Sequence, residues 1–319
     1  AFPLFFDFSG KAMLRHLTKR CVRSLSAKPA AIHNHFSTTK TPESDSTDTT
    51  HFGFQTVAKD DKQKLVAEVF SRVASKYDLM NDVLSVGVHR LWKDTLVNRL
   101  NPRHGIKHLD VAGGTGDISF RIIEHLKSTS PNKALLPFPH VAVAPSQVIV
   151  SDINPDMLGV GQERAVKLGY NVVPSPYAPD YDPSTSVTPD ASQPAISFQV
   201  GDAANLVDFP DNNFDSYTIA FGLRNVTEID KALREAHRVL KRGGRFMCLE
   251  FSKLDNIVAQ QFYDQYSFHM MPVLGEIFAN DRASYQYLVE SIRKFPNKEE
   301  LATKMRDAGF KSVSYEGMT

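Results

Sequence analysis

His108-Leu109-Asp110-Val111-Ala112-Gly113-Gly114-Thr115-Gly116-Asp117 is the stretch on which the reading of this chain turns. A short run from Ile106 to Val111 enters a glycine-dense turn, and Ile118, Phe120, Ile122 and Ile123 follow as the apolar positions of a helix. Strand, glycine loop and helix in that order open a nucleotide-binding α/β unit. Gly113 and Gly114 allow a ligand to lie directly against backbone, where a Cβ would block it. The helix that follows offers free N–H groups at its start. A dinucleotide fingerprint needs G-x-G-x-x-G, and this loop has no glycine in the next helical turn.

The next two strands decide which nucleotide fits. Val148-Ile149-Val150-Ser151-Asp152 is a β-branched run ending in a carboxylate, and Pro155 then marks a helix start. A carboxylate at the tip of strand two accepts hydrogen bonds from both ribose hydroxyls of an adenosine. Ile196–Val200 also runs into an acid, Asp202, followed by Ala203. That pair suits adenine, with the carboxylate taking the exocyclic amine and the next backbone N–H donating to the ring. Glycine loop, ribose acid and adenine acid at three successive strand ends favour S-adenosyl-L-methionine, which has no pyrophosphate to cradle. A methyltransferase is expected rather than a dehydrogenase.

Further runs carry a narrower resemblance. Phe209–Asp215, Phe221-Gly222-Leu223-Arg224-Asn225-Val226 and Arg238–Arg245 look like a class I methyltransferase. Leu249-Glu250-Phe251-Ser252-Lys253, Tyr266-Ser267-Phe268-His269, Tyr287–Arg293 and Val69–Asn81 together resemble the ubiquinone/menaquinone biosynthesis C-methyltransferases. The likeness runs from about Phe52 to the last residue. It implies C-methylation of a polyprenyl methoxy-benzoquinol in coenzyme Q synthesis. It also implies peripheral attachment to the matrix side of the mitochondrial inner membrane, membership of a multi-subunit coenzyme Q biosynthetic complex, and a homodimer as a further expectation. Gly114, Thr115, Asp152, Asp202 and Ala203 fall on cofactor-binding positions, with Thr115 placing a hydroxyl near the methionine carboxylate. Apart from the resemblance, Tyr77 and Asp78 lie at the end of the capping helix and are expected to close over the cleft as substrate contacts. Bacterial relatives carry Ser before Phe-Gly-Leu-Arg-Asn, whereas this chain has Ala220, so a hydroxyl contact is lost there.

Composition narrows the alternatives. Lys and Arg number 37 against 36 Asp and Glu, so no whole-chain field points to nucleic acid, and an RNA methyltransferase is disfavoured. Cys21 and Cys248 are far apart and form neither a disulfide framework nor a metal set. Two rivals stay open: methylation of a different small-molecule acceptor, and a non-catalytic scaffold subunit that keeps the cofactor pocket.

The ends of the chain read differently from its body. Met13 to Lys40 contains Arg15, Lys19, Arg20, Arg23 and Lys28 with no acid, the composition of a mitochondrial transit peptide. Met13 is expected to be the start, with the first twelve residues lying upstream of it. Thr41–Thr50 reads as a linker. Residues 1–50 are therefore assigned to transit peptide and linker, and 51–319 to the methyltransferase domain. Lys311–Tyr315 is the expected penultimate strand. The antiparallel last strand of a class I methyltransferase is expected to be missing, which would leave an inner gap in the sheet.

In the body, Lys59–Met80 and Val83–Leu100 read as helices capping the cleft. Strands are expected at 106–112, 148–152, 196–200, 215–221 and 245–251, with helices at 156–168, 229–240 and 256–276. That alternation predicts a doubly wound parallel sheet, the Rossmann-like class I fold. The Pro-rich segments 128–147 and 171–194 read as surface loops.

For chemistry, a ring carbon becomes nucleophilic only when a ring hydroxyl loses its proton, so the site must stabilise a phenolate-like oxygen. Arg224 and Asn225, at the end of strand four, are the catalytic candidates. A guanidinium donates two hydrogen bonds to developing oxyanion charge. Arginine stays protonated, so a water held by Arg224 is the expected proton acceptor. The alternative for Arg224 is a structural salt bridge. His269 has the pKa of an ordinary acid–base residue but is read as a core histidine. The apolar run Phe268–Phe278 suits a polyprenyl tail or a plain helix–sheet interface.

Overall fold

The computed structural model describes residues 2–8, 49–73, 85, 87–129, 144–182, 184, 193–252, 265, 268–269, 272–273, 276 and 281–318. Three strands come first, β1 (Phe2–Phe8) and the hairpin β2 (Thr49–Phe52) and β3 (Gln55–Ala58). The capping helices are α1 (Lys59–Val73) and α2 (Val88–Leu100). Strands and helices then alternate: β4 (Lys107–Val111), α3 (Asp117–Ser128), β5 (Gln147–Asp152), α4 (Pro155–Lys167), β6 (Asn171–Val172), β7 (Ala195–Val200), β8 (Phe214–Ala220), α5 (Ile229–Val239) and β9 (Leu240–Ser252). The chain closes with α6 (Arg282–Lys294), α7 (Lys298–Asp307) and β10 (Ser314–Gly317).

The strand order is β10-β1-β9-β8-β4-β5-β7-β6. From β9 to β6 every neighbouring pair is parallel, as the alternation predicts. Apolar side chains alternate between two covered faces. Ile149, Phe246 and Cys248 join Leu233, Ala236, Leu301 and Met305 of α5 and α7 on one side. Val148, Val150, Met247 and Leu249 join Leu96, Ile122, Ile123 and Leu158 of α2, α3 and α4 on the other. A strand buried on both faces reads as a nearly continuous apolar run, which is why these strands are legible in the sequence.

The N-terminal strand departs from expectation. β1 lies antiparallel between β9 and β10, with Phe2 opposite Ser252 and Phe8 opposite Phe246, and Leu4 opposite Gly317 on its other side. It fills the inner position that the sequence leaves without a strand, and it brings Phe2–Phe8 into a domain expected to begin at residue 51. An empty slot there would expose two rows of unpaired backbone groups. A short phenylalanine-rich segment has the β propensity to satisfy both rows.

Smaller differences concern surfaces. The 171–194 segment is not wholly superficial, since Tyr177 packs on Phe209 and Phe214 and its hydroxyl accepts from Asn213 Nδ2 at 2.6 Å. The hairpin β2–β3 is too short for its alternation to stand out. Residues 74–84 and 86, where the two expected capping helices meet, lie outside the described residues, as do most of the expected helix 256–276 and all of 130–143.

Deleting residues 1–12 is expected to lower Tm by roughly 5 °C or more. Hydrogen exchange should show lost amide protection across Phe246–Ser252, and full retained protection would refute the pairing of β1.

Candidate active site

The site is built where β4, β5, β7 and β8 end. After β4 the chain turns through Ala112 and Gly114 with φ of 51° and 52°, a region that glycine adopts at no steric cost. At Gly113 an added Cβ would meet Val150 Cγ1 at 2.7 Å and the Asp110 carbonyl oxygen at 3.0 Å. The loop is therefore pressed onto the sheet, and its open side faces a cleft.

Asp152 is held from two directions. The Gly114 N–H donates to its Oδ2 and the Asn154 N–H to its Oδ1, each at 2.9 Å. Burial pushes this carboxyl up, against the backbone N–H groups of Asn154, Gly114 and Ile153 that hold it down. Asn154 does two further jobs. Its Oδ1 caps α4 through Asp156 and Met157, and its Nδ2 donates to the Ala67 carbonyl and Ser71 Oγ, tying α1 over the strand ends. On the far side Asp202 accepts from Ala204 N–H at 2.9 Å and from Gln63 Nε2 at 2.8 Å. Gln63 comes from α1, so the cap reaches both acids.

Gly114, Thr115, Asp152, Asp202 and Ala203 all line this cleft. Thr115 is buried, and its hydroxyl accepts from Arg164 Nη1 at 3.0 Å, leaving its own proton to donate. Ala220 and Asn225 also line the cleft, and so does Thr227, whose buried Oγ1 has no partner among the described residues.

Arg224 is placed differently from Asn225. Its guanidinium is buried behind the short 3-10 turn Leu223–Asn225 and is not part of the cleft lining. Nη1 bonds to Glu250 Oε2 at 3.1 Å and to the Phe221 carbonyl, the Arg224 N–H donates to Glu250 Oε1, and Cζ lies 5.7 Å from the Phe251 ring centroid. The salt bridge left open by the sequence is thus present, while Nε has no partner among the described residues. Tyr77 and Asp78 lie outside the described residues. His269 is exposed, with Nδ1 on the Gln265 carbonyl of its own helix, so it is not a core histidine.

Two functional groups escape sequence reasoning. Lys93 is buried, lines the cleft and bonds Asp117 Oδ2 at 2.7 Å. Burial alone would raise the Asp117 carboxyl; Lys93 and Arg121 outweigh it and hold the group below its usual value. An ammonium this deep needs a paired charge, and Asp117 supplies it. Nothing in the local pattern around Trp92 distinguishes Lys93 from a solvated helix lysine. Asp110 is the second. Its oxygens accept from Thr218 Oγ1 at 2.7 Å and Ser119 Oγ at 2.8 Å, and Thr218 in turn meets His108 Nε2 at 3.0 Å. Burial lowers His108 to about 3 and raises Asp110 to about 6.

These features suit a nucleoside joined to an amino acid. The loop offers glycine backbone without a third glycine for a pyrophosphate, and the carboxylates of Asp152, Asp202 and Asp110 line the same cleft as Lys93. In a doubly wound sheet that arrangement defines a class I S-adenosylmethionine-dependent methyltransferase. The ubiE/COQ5 methyltransferase family profile matches residues 55–178 and 184–319, and the chain belongs to that family. The 2-methoxy-6-polyprenyl-1,4-benzoquinol methylase, mitochondrial, of Oryza sativa subsp. japonica is 48% identical over 296 residues, covering 93% of this chain and 90% of its own. The proteins of the same name from Drosophila melanogaster and Homo sapiens are 49% and 46% identical, each covering 85% of this chain and 81% of its own.

Asp152→Ala is expected to weaken S-adenosylmethionine binding by about 100-fold in calorimetry, because a charged hydrogen bond is worth roughly 1.5–3 kcal/mol. A second measurement tests Asp110. Its carboxyl is ionised above about 6, and a cationic ligand favours the ionised form, so affinity should fall as pH drops from 7 to 5. His108, held neutral to about 3, contributes nothing in that window. Asp110→Asn should remove most of the dependence.

Proposed function

We propose that this chain transfers a methyl group from S-adenosylmethionine to a ring carbon of 2-methoxy-6-polyprenyl-1,4-benzoquinol, in the mitochondrion. The observation that carries this reading is near-50% identity, over most of both chains, to enzymes of that name. Attachment at the matrix side of the inner membrane, a place in a coenzyme Q biosynthetic complex and a homodimer belong to the same proposal. No helix among the described residues is long and apolar enough to cross a membrane, which is compatible with peripheral attachment to reach a lipid-borne acceptor.

S-adenosylmethionine supplies a methyl carbon already activated by its sulfonium charge. The chain's own work is to hold and orient. Gly114 and Thr115 take the methionine side, Asp152 the ribose hydroxyls, and Asp202 with the Ala203 N–H the adenine. Asn225 and Thr227 line the same cleft and donate to the acceptor oxygen as it loses its proton. Preorganised donors aimed at developing charge are a large source of rate in such a site. Arg224 stays protonated and paired with Glu250, so its part is to hold the turn that presents Asn225, with water as the proton acceptor. Tyr77 and Asp78 are assigned to the acceptor from their place in the sequence at the end of the expected capping helix.

The test is transfer of labelled methyl from S-adenosylmethionine to a short-tailed methoxy-benzoquinol. Asn225→Ala should lower kcat by about 100-fold, the usual cost of one lost oxyanion donor. Arg224→Ala would also strip Glu250 of its partner, and breaking a buried pair costs about 3–5 kcal/mol. Arg224→Lys is the cleaner variant and should lower kcat with cofactor affinity unchanged. A wild type that binds the cofactor but methylates nothing would favour the scaffold reading.

A further inference from the structure

The family-like run Tyr287–Arg293 has no part in the mechanism above, yet its first residue touches the site. Tyr287, on α6, is buried, and its hydroxyl donates to Asn225 Oδ1 at 3.0 Å across 62 positions of sequence. The backbone of Asn225 is fixed separately, its N–H donating to the Gly222 carbonyl at 3.0 Å. With Oδ1 occupied, the carboxamide meets the cleft through Nδ2, a pure donor. Without that bond the amide is free to rotate and offer an acceptor instead, which would repel a developing oxyanion.

The tyrosine is itself held. Its ring stacks on Phe52 of the hairpin, with centroids 4.3 Å apart and planes 18° from parallel, and it packs with Val66 and Val69 of α1. Burial pushes the phenol up to about 12, so it remains a donor throughout the working range. Donor identity, ring position and amide orientation are therefore set in series, from the N-terminal cap to the cleft.

We propose that Tyr287 is a positioning residue, whose hydroxyl locks the Asn225 carboxamide with its N–H groups toward the acceptor oxygen. This rests on the role given to Asn225 under the proposed function. Positional errors near 1 Å cost a reaction about 100-fold, which sets the scale of the effect.

Tyr287→Phe, Asn225→Ala and the double variant are compared in the full chain. Tyr287→Phe is expected to lower kcat 10- to 100-fold, with S-adenosylmethionine affinity within about twofold of wild type. In the Asn225→Ala background the same change should cost no more than about twofold, because the two residues act as one unit. Side-chain amide NMR gives an activity-independent readout: the Asn225 Nδ2 protons should be ordered in the wild type and rotationally averaged in Tyr287→Phe. An unchanged kcat in Tyr287→Phe, or multiplicative losses in the double variant, would overturn the proposal. If Asn225→Ala keeps full kcat, the role of Asn225 fails and the proposal falls with it. Should the wild type not methylate the quinol, the amide resonances alone decide, and ordered resonances in Tyr287→Phe overturn the lock.

Discussion

The hydrogen bond from the Gly114 backbone to the Asp152 carboxylate holds the rest of the site in place. It joins the turns after two neighbouring parallel strands, so the two loops at this end of the cleft keep a constant separation. Making it requires a positive φ at Gly114 and no side chain at Gly113, where Val150 and Asp110 leave no room. It also requires β4 and β5 in register, Val111 beside Ser151, so that both turns leave the sheet at the same level. A one-residue slip would move every core side chain to the wrong face and pull the clasp apart.

Around that clasp the fold buries charge on purpose and compensates it differently in each place. Lys93 and Asp117 neutralise one another at the edge of the cleft, and Arg224 and Glu250 do so behind it. Asp110, which lines the cleft, accepts from the hydroxyls of Ser119 and Thr218. The buried pair behind Asn225 is weak evidence for stability, since desolvation offsets most of its Coulomb energy. Its better-supported contribution is geometric, fixing the turn that carries Asn225.

The cap and the sheet are coupled through single polar side chains. Asn154 ties α1 to the end of β5, Gln63 ties it to Asp202, and Tyr287 ties the hairpin and α1 side to Asn225. The cap is therefore in contact with Asp202, Asn154 and the Asn225 side of the cleft at once.

The alternating strands, the glycine turn, Asp152 and Asp202 were legible in the residue order because their signals are local: period-2 burial, a backbone that tolerates no Cβ, a carboxylate at a strand tip. The helices α4 and α5 were legible for the same reason, with Pro155 and periodic apolar residues marking them. Lys93, Thr227, the Arg224–Glu250 pair and the Tyr287–Asn225 contact were not, because each acquires meaning only from burial or from a partner many residues away. The place of β1 belongs with them. Nothing within Phe2–Phe8 names β9 and β10 as neighbours; the gap between those strands, which exists only once the sheet has formed, decides it. Residue order determined the class of ligand, and tertiary packing determined which donors face it.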